Sequence, residues 1–172
     1  MGIATIIERL KDCISTGSDS ARPLIVTEFR SDTTVTIDSS KLFGAMKCLK
    51  EECGFDMLTD VTAVDYLNYP DAENRYGIIY CLTNIGTGER VVVRTFVNDP
   101  APRVRSVCDL WKGANWMERE VYDLFGIDFE GHPDLRRILM PEGFESYPLR
   151  KDYPLRGRYE RHNFDAIPRS ES

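Results

Sequence analysis

The chain has 172 residues, 42% of them hydrophobic and 29% charged, with a net charge of −6 at neutral pH. That length buries roughly 70% of the unfolded surface around one core; the composition excludes a disordered chain, and the acidic excess argues against a nucleic-acid-binding face, which needs concentrated basic charge. No apolar run approaches the ~20 residues of a membrane span, and the opening residues carry neither a signal-peptide core, nor an Arg-rich transit pattern, nor the Ser or Thr that N-myristoylation needs where Ile6 stands. The expectation is a soluble chain that meets a membrane only through partners.

In chain order, Ile3, Ile6, Ile7, Leu10 and Ile14 stripe one face of an N-terminal helix that stops at Ser15–Ser20. Leu24–Phe29 and Thr33–Ile37 read as a hairpin turning through Arg30, Ser31 and Asp32. Lys41–Cys53 returns to helical spacing through Leu42, Phe43, Ala45, Met46, Cys48 and Leu49, with Gly54 as its stop. Met57–Tyr66, Arg75–Leu82 and Arg90–Phe96 are strand-like, and short helices are expected near Val107–Lys112 and Trp116–Phe125. The order β-β-α-β-β-β with flanking helices predicts an α+β fold, a two-layer domain with a largely antiparallel sheet, over residues 1–130.

Asn115 followed by Glu118 has capping-box spacing, and Met117, Val121, Leu124 and Phe125 define the core side of the next helix. Glu118, Arg119, Glu120 and Asp123 are then expected on its remaining surface, and Gly126 as its end. Periodicity is lost beyond Gly131, where Pro133, Pro141, Pro148 and Pro154 recur in an extended ribbon. Residues 1–130 hold 14 Lys and Arg against 21 Asp and Glu, while residues 131–172 hold 8 against 7, so the tail is set to dock on an acidic neighbour. Its anchoring candidates are Arg136, Arg137, Tyr147, Arg150, Lys151, Asp152 and Tyr153, since prolines, aromatics and fork-shaped guanidinium groups suit a wrapped partner better than a solvated tail.

Catalytic readings are weaker. Glu118, Glu120, Asp123 and His132 resemble an acid/base group, but no nucleotide loop or nucleophile motif accompanies them, and cap or surface carboxylates more often pair with basic side chains such as Arg119, Arg136 and Arg137. Cys13, Cys48, Cys53, Cys81 and Cys108 lack the spacing of zinc or iron-sulfur ligands and read as reduced, mostly buried thiols. Gly86-Thr87-Gly88 joins two strands and is a hairpin, not a phosphate cradle. Trp111 and Trp116 admit quinone contact, with a core or interface anchor as the favoured alternative.

The blocks Glu118-Arg119-Glu120, Asp123-Leu124-Phe125-Gly126-Ile127, Gly131-His132-Pro133, Leu135-Arg136-Arg137 and Pro148-Leu149-Arg150-Lys151-Asp152-Tyr153-Pro154 resemble the 30 kDa subunit family of respiratory complex I, the NADH:quinone oxidoreductase. A looser similarity reaches back to about Thr33 and includes Leu58–Tyr66. Tyr147 departs from the His that relatives often carry there. The resemblance implies a non-catalytic subunit of the translocase, without cofactor or metal of its own, in a holoenzyme that uses FMN, iron-sulfur clusters, NADH and quinone. It also implies packing against the large quinone-site subunit, near the subunit that bears the terminal iron-sulfur cluster, peripherally on the cytoplasmic face of a bacterial inner membrane. Two alternatives stand beside it: the equivalent subunit of a related membrane-bound hydrogenase-type complex, and a stand-alone enzyme using Glu118, Glu120 and His132.

Overall fold

A computed structural model of the chain describes residues 3–15, 24–30, 32–141 and 143–158. The expected tail beyond residue 158, and most of the Ser15–Ser20 stop, lie outside the described residues. Helix α1, Ile3–Ser15, buries Ile6 and Leu10 one turn apart, as its stripe predicts. It packs on α2, Leu42–Glu51, whose Leu42, Ala45, Met46, Cys48 and Leu49 face inward. Gly54 follows α2 at a positive φ of 75°, which only glycine adopts without strain.

Strands β1, Ile25–Phe29, and β2, Asp32–Thr36, pair antiparallel as expected, with Arg30 at positive φ in the turn. β3, Met57–Asp65, β4, Tyr76–Thr83, and β5, Arg90–Val97, complete a five-stranded sheet in the order β1-β2-β5-β4-β3. All its pairings are antiparallel except β2 with β5. Period-two alternation puts Tyr76, Ile78, Tyr80 and Leu82 of β4 and Val91, Val93 and Val97 of β5 into one core with α2 and Phe125. On β3 a bulge between Leu58 and Asp60 adds a residue, so Thr59 and Asp60 are both exposed before alternation resumes at Val61.

Three expectations are corrected. Val107–Lys112 makes a single turn instead of a helix, its amides at Leu110 and Trp111 both meeting the Val107 carbonyl before Gly113. The next helix, α3, runs Ala114–Phe125 with Gly113 at its N-cap, so Asn115 sits inside the first turn and forms no capping box. Of the four polar residues expected on the α3 surface, only Glu120 is exposed; Glu118, Arg119 and Asp123 are buried. α3 packs on β3, and beyond it the short strand β7, Asp128–Glu130, pairs parallel with β6, Arg103–Arg105, a ladder too short to show in the sequence pattern. Ile127 and Phe129 are thereby drawn into the core, on the stretch between Gly126 and Gly131 that reads as the domain edge.

Candidate functional site

The ribbon after Gly131 has no regular secondary structure among its described residues, so its backbone polar groups need side-chain partners, and α3 supplies them. Asp123, fully buried, accepts the consecutive amides of Ile138, Leu139 and Met140 at 3.1, 2.7 and 2.8 Å. Its other oxygen takes the Arg137 guanidinium at 2.8 Å. Burial raises the Asp123 carboxyl, but the Met140 amide, Arg137 and the Leu139 and Ile138 amides outweigh it and hold the group below the ordinary carboxylate range. One turn earlier Arg119 works in the opposite sense, donating from Nε to the Arg136 carbonyl at 3.0 Å and from Nη2 to the Arg137 carbonyl at 3.1 Å.

Further along, Arg150 returns the ribbon to the end of α3. Its Nε donates to the Phe125 carbonyl at 2.5 Å and its Nη2 to the Gly126 carbonyl at 3.4 Å, two of the acceptors a helix C-terminus leaves open. The guanidinium carbon lies 4.6 Å from the Tyr147 ring centre and 5.3 Å from that of Tyr76, so the cation is held between aromatic faces. Gly126 is left-handed at φ 71°, and a Cβ there would sit 2.5 Å from the Tyr147 ring. Tyr147, the departure from the family pattern, therefore fills the space that glycine leaves.

A third anchor joins ribbon to sheet. Buried Asp65, at the end of β3, accepts the Lys151 amide at 2.9 Å and lies 3.3 Å from Arg75, which also pairs with Asp152 at 2.8 Å. The acidic neighbour foreseen for this ribbon is thus, for Arg137 and the Lys151 backbone, the chain's own domain. Arg150 likewise finds its acceptors within the chain, as backbone carbonyls. The Lys151 side chain points outward, Arg136 is exposed and paired with Asp134 at 2.9 Å, and Tyr153 packs 6.2 Å from Phe144.

The fold brings Glu118 and His132 of the expected acid/base group near each other, but each is held by other partners. Glu118 is fully buried and accepts the Ser106 hydroxyl at 2.6 Å, the Val107 amide at 2.8 Å and the Cys108 thiol at 3.3 Å, pinning the turn that leads into α3. Burial raises its carboxyl, with the Ser106, Val107 and Cys108 bonds acting against that rise. His132 comes near, and with Cys108 and Glu118 it forms a group whose candidate ligand atoms lie within 4.8 Å of one another. The chemistry does not fit a metal. Nδ1 of His132 accepts the Asp134 amide at 3.0 Å, which assigns the proton to Nε2, and Nε2 donates to the Asn115 carbonyl at 3.1 Å. Both ring nitrogens are committed to backbone. Glu120 points to solvent without a hydrogen bond or ion pair to a described residue.

The two tryptophans part company. Trp111 is 6% exposed and donates from its indole to the Asp56 carbonyl at 3.2 Å, while Trp116 is 65% exposed beside Arg119. Trp116 with Leu139 and Leu149, at 56% and 50% exposure, leaves large apolar side chains uncovered on α3 and the ribbon. These leucines are not legible in the sequence, because exposure of an apolar residue in an aperiodic ribbon leaves no pattern.

The chain is thus an α+β domain that straps its own irregular ribbon with buried carboxylates and arginines and keeps apolar side chains outside. The family it belongs to is the 30 kDa subunit of respiratory-chain NADH dehydrogenase, whose pattern it matches over residues 35–159. The chain is 46% identical over 141 residues to the C subunit of NADH-quinone oxidoreductase from Trichlorobacter lovleyi, covering 82% of this chain and 86% of the relative. It is 54% identical over 108 residues to NADH-quinone oxidoreductase subunit 5 of Thermus thermophilus, 59% of this chain and 52% of the relative. Among solved structures it is similar to the trypsin-resistant fragment (1-134) of Nqo5, with a TM-score of 0.65 and 37% identity over 76% of this chain and 99% of the fragment. It shares its fold with a chain of the membrane-bound sulfane sulfur reductase, an archaeal respiratory membrane complex, at a TM-score of 0.68 and 24% identity over 98% of this chain and 95% of that one.

Proposed function

We propose that this chain is a cofactor-free structural and assembly subunit in the hydrophilic arm of a proton-translocating NADH:quinone oxidoreductase. In this reading other subunits carry electrons from NADH through FMN and iron-sulfur clusters to quinone. The chain shapes the quinone module by presenting α3 and the ribbon to the quinone-site subunit, near the subunit with the terminal cluster. The observation that carries the reading is the use made of Glu118, Asp123 and His132. Their hydrogen-bonding atoms bind backbone and neighbouring side chains of the same chain, which is work for holding a surface in shape and not for moving protons.

The expected interface residues divide accordingly. Arg137, Tyr147, Arg150 and Asp152 set the ribbon's path, while Arg136, Lys151, Tyr153 and the exposed Trp116, Leu139 and Leu149 face the partner. Trp and Arg at such positions are the side chains that most often dominate an interface. No helix among the described residues is long and apolar enough to cross a membrane; in this reading the chain sits peripherally at the cytoplasmic face of the inner membrane, through its partners. The relatives named above as NADH-quinone oxidoreductase subunits favour NADH as electron donor over the hydrogenase-type alternative.

The test replaces Trp116 by Ala and Lys151 by Glu in the assembled complex. Co-purification with the quinone-site subunit should fall, and NADH:quinone activity should fall with it. Turnover per intact complex should be unchanged, and NADH:ferricyanide activity of the flavin module should persist. A fully assembled complex with greatly reduced turnover would overturn the scaffold reading.

A further inference from the structure

Cys13 on α1 and Cys48 on α2 stand 35 positions apart in sequence, yet their sulfurs lie 2.6 Å from each other. Cys13 is half-buried, and its thiol also reaches Glu52 Oε1 at 3.7 Å; Cys48 is 4% exposed. The contact is framed on both sides. Ile6 and Leu10 fix α1 from the core, and Arg9 donates to the Glu52 carbonyl at 2.9 Å, just past the end of α2. We propose that Cys13 and Cys48 form a reversible dithiol pair that closes to a disulfide and ties α1 to α2.

A metal reading of the same group, with Glu52 as third ligand, is less well matched. A tetrahedral zinc with bonds of about 2.3 Å to sulfur holds its thiolates about 3.8 Å apart, wider than the separation here. The disulfide needs the sulfurs to close by about half an ångström, to about 2.05 Å.

The oxidant is a small-molecule disulfide. Cys13, the more accessible thiol, loses its proton and attacks one sulfur, forming a mixed disulfide and releasing one small thiolate. Cys48 then loses its proton and attacks the Cys13 sulfur, forming the internal bond and releasing the second. Two protons and two electrons thus leave the protein and end on two small thiols, and a reducing thiol runs the sequence backwards. Burial, then the neighbouring Cys13, raises the Cys48 thiol, which makes it the resolving partner and not the first attacker. Burial likewise raises Cys53, the nearest competitor.

The test exposes the full chain to excess oxidised glutathione at pH 8, quenches it with alkylating agent and measures intact mass without reductant. The expected product has lost two hydrogens and carries no glutathione. Its tryptic map joins peptide 12–30, the Arg22-Pro23 bond being resistant to trypsin, to peptide 48–50, which trypsin separates from Cys53 at Lys50. Amide exchange in α1 should slow at least tenfold on oxidation and recover with reductant. In Cys48→Ser the reaction should halt as a glutathione adduct on Cys13. A stable adduct on wild-type Cys13 with no internal link, a link from Cys48 to the peptide holding Cys53, or a correct link that leaves α1 exchange unchanged would each overturn the proposal.

Discussion

Arg137 meets Asp123 twice through one nitrogen, Nη1 lying 2.8 Å from the carboxylate and 3.1 Å from the Asp123 main-chain carbonyl. The same nitrogen reaches the Ser146 carbonyl at 3.2 Å, so one guanidinium gathers helix, ribbon start and ribbon middle. Replacing Asp123 by Asn keeps the shape but removes the charge that three amides and this cation share. Urea unfolding at pH 7 should show a loss of about 3–5 kcal/mol, as for breaking a buried charged pair. Because the folded carboxyl titrates below its usual range, its contribution is complete above the unfolded pKa of ~3.9 and disappears as pH falls through the folded value. The difference between wild type and variant should therefore shrink steadily below pH 4.

Glu118, one turn away, has the opposite sign. Burial raises its folded pKa, so its favourable contribution is complete below the unfolded value of ~4.3 and is lost as pH rises through the folded one. Glu118→Gln can still accept the Val107 amide. Measured from pH 4 to pH 8, the variant's stability relative to wild type should climb with pH; a constant offset would show that Glu118 is not perturbed.

Gly126 faces two separable demands, a left-handed backbone and room for the Tyr147 ring with the Arg150 guanidinium beside it. Gly126→Ala should cost about 1–2 kcal/mol for the backbone alone, plus the cost of displacing Tyr147. Combining it with Tyr147→Ala should recover only the second part, so a double-mutant cycle should give a clear coupling.

Arg150→Ala removes the side-chain bonds from the ribbon to the Phe125 and Gly126 carbonyls and the cation between Tyr76 and Tyr147. In the free chain, limited proteolysis should become faster around residues 145–158 than in wild type. In cells the complex should assemble in lower yield, while each assembled complex should retain its quinone turnover. If the ribbon were held mainly by a partner, the free-chain cleavage rate would not change.

The helices and sheet strands were legible because burial writes period into sequence: Ile6 with Leu10, and Tyr76 with Ile78, Tyr80 and Leu82, leave a trace that needs no coordinates. The anchors were not. Asp65 and the Lys151 amide lie 86 positions apart, and a carboxylate that accepts backbone amides reads in sequence like one facing water. For that reason Glu118 and Asp123 read in sequence as surface residues, and Cys13 and Cys48 as scattered. The family blocks contain Glu118, Arg119, Asp123 and Arg150, but only the fold shows that Glu118 holds the turn before α3 while the other three hold the ribbon after it.

The Asp65 anchor also imposes an order on synthesis. Its acceptor is translated long before the Lys151 amide that it binds, and every strand pairing of the sheet and of the β6–β7 ladder lies at or before Glu130. The sheet can therefore begin to form while the ribosome still holds the ribbon, which seats on it afterwards.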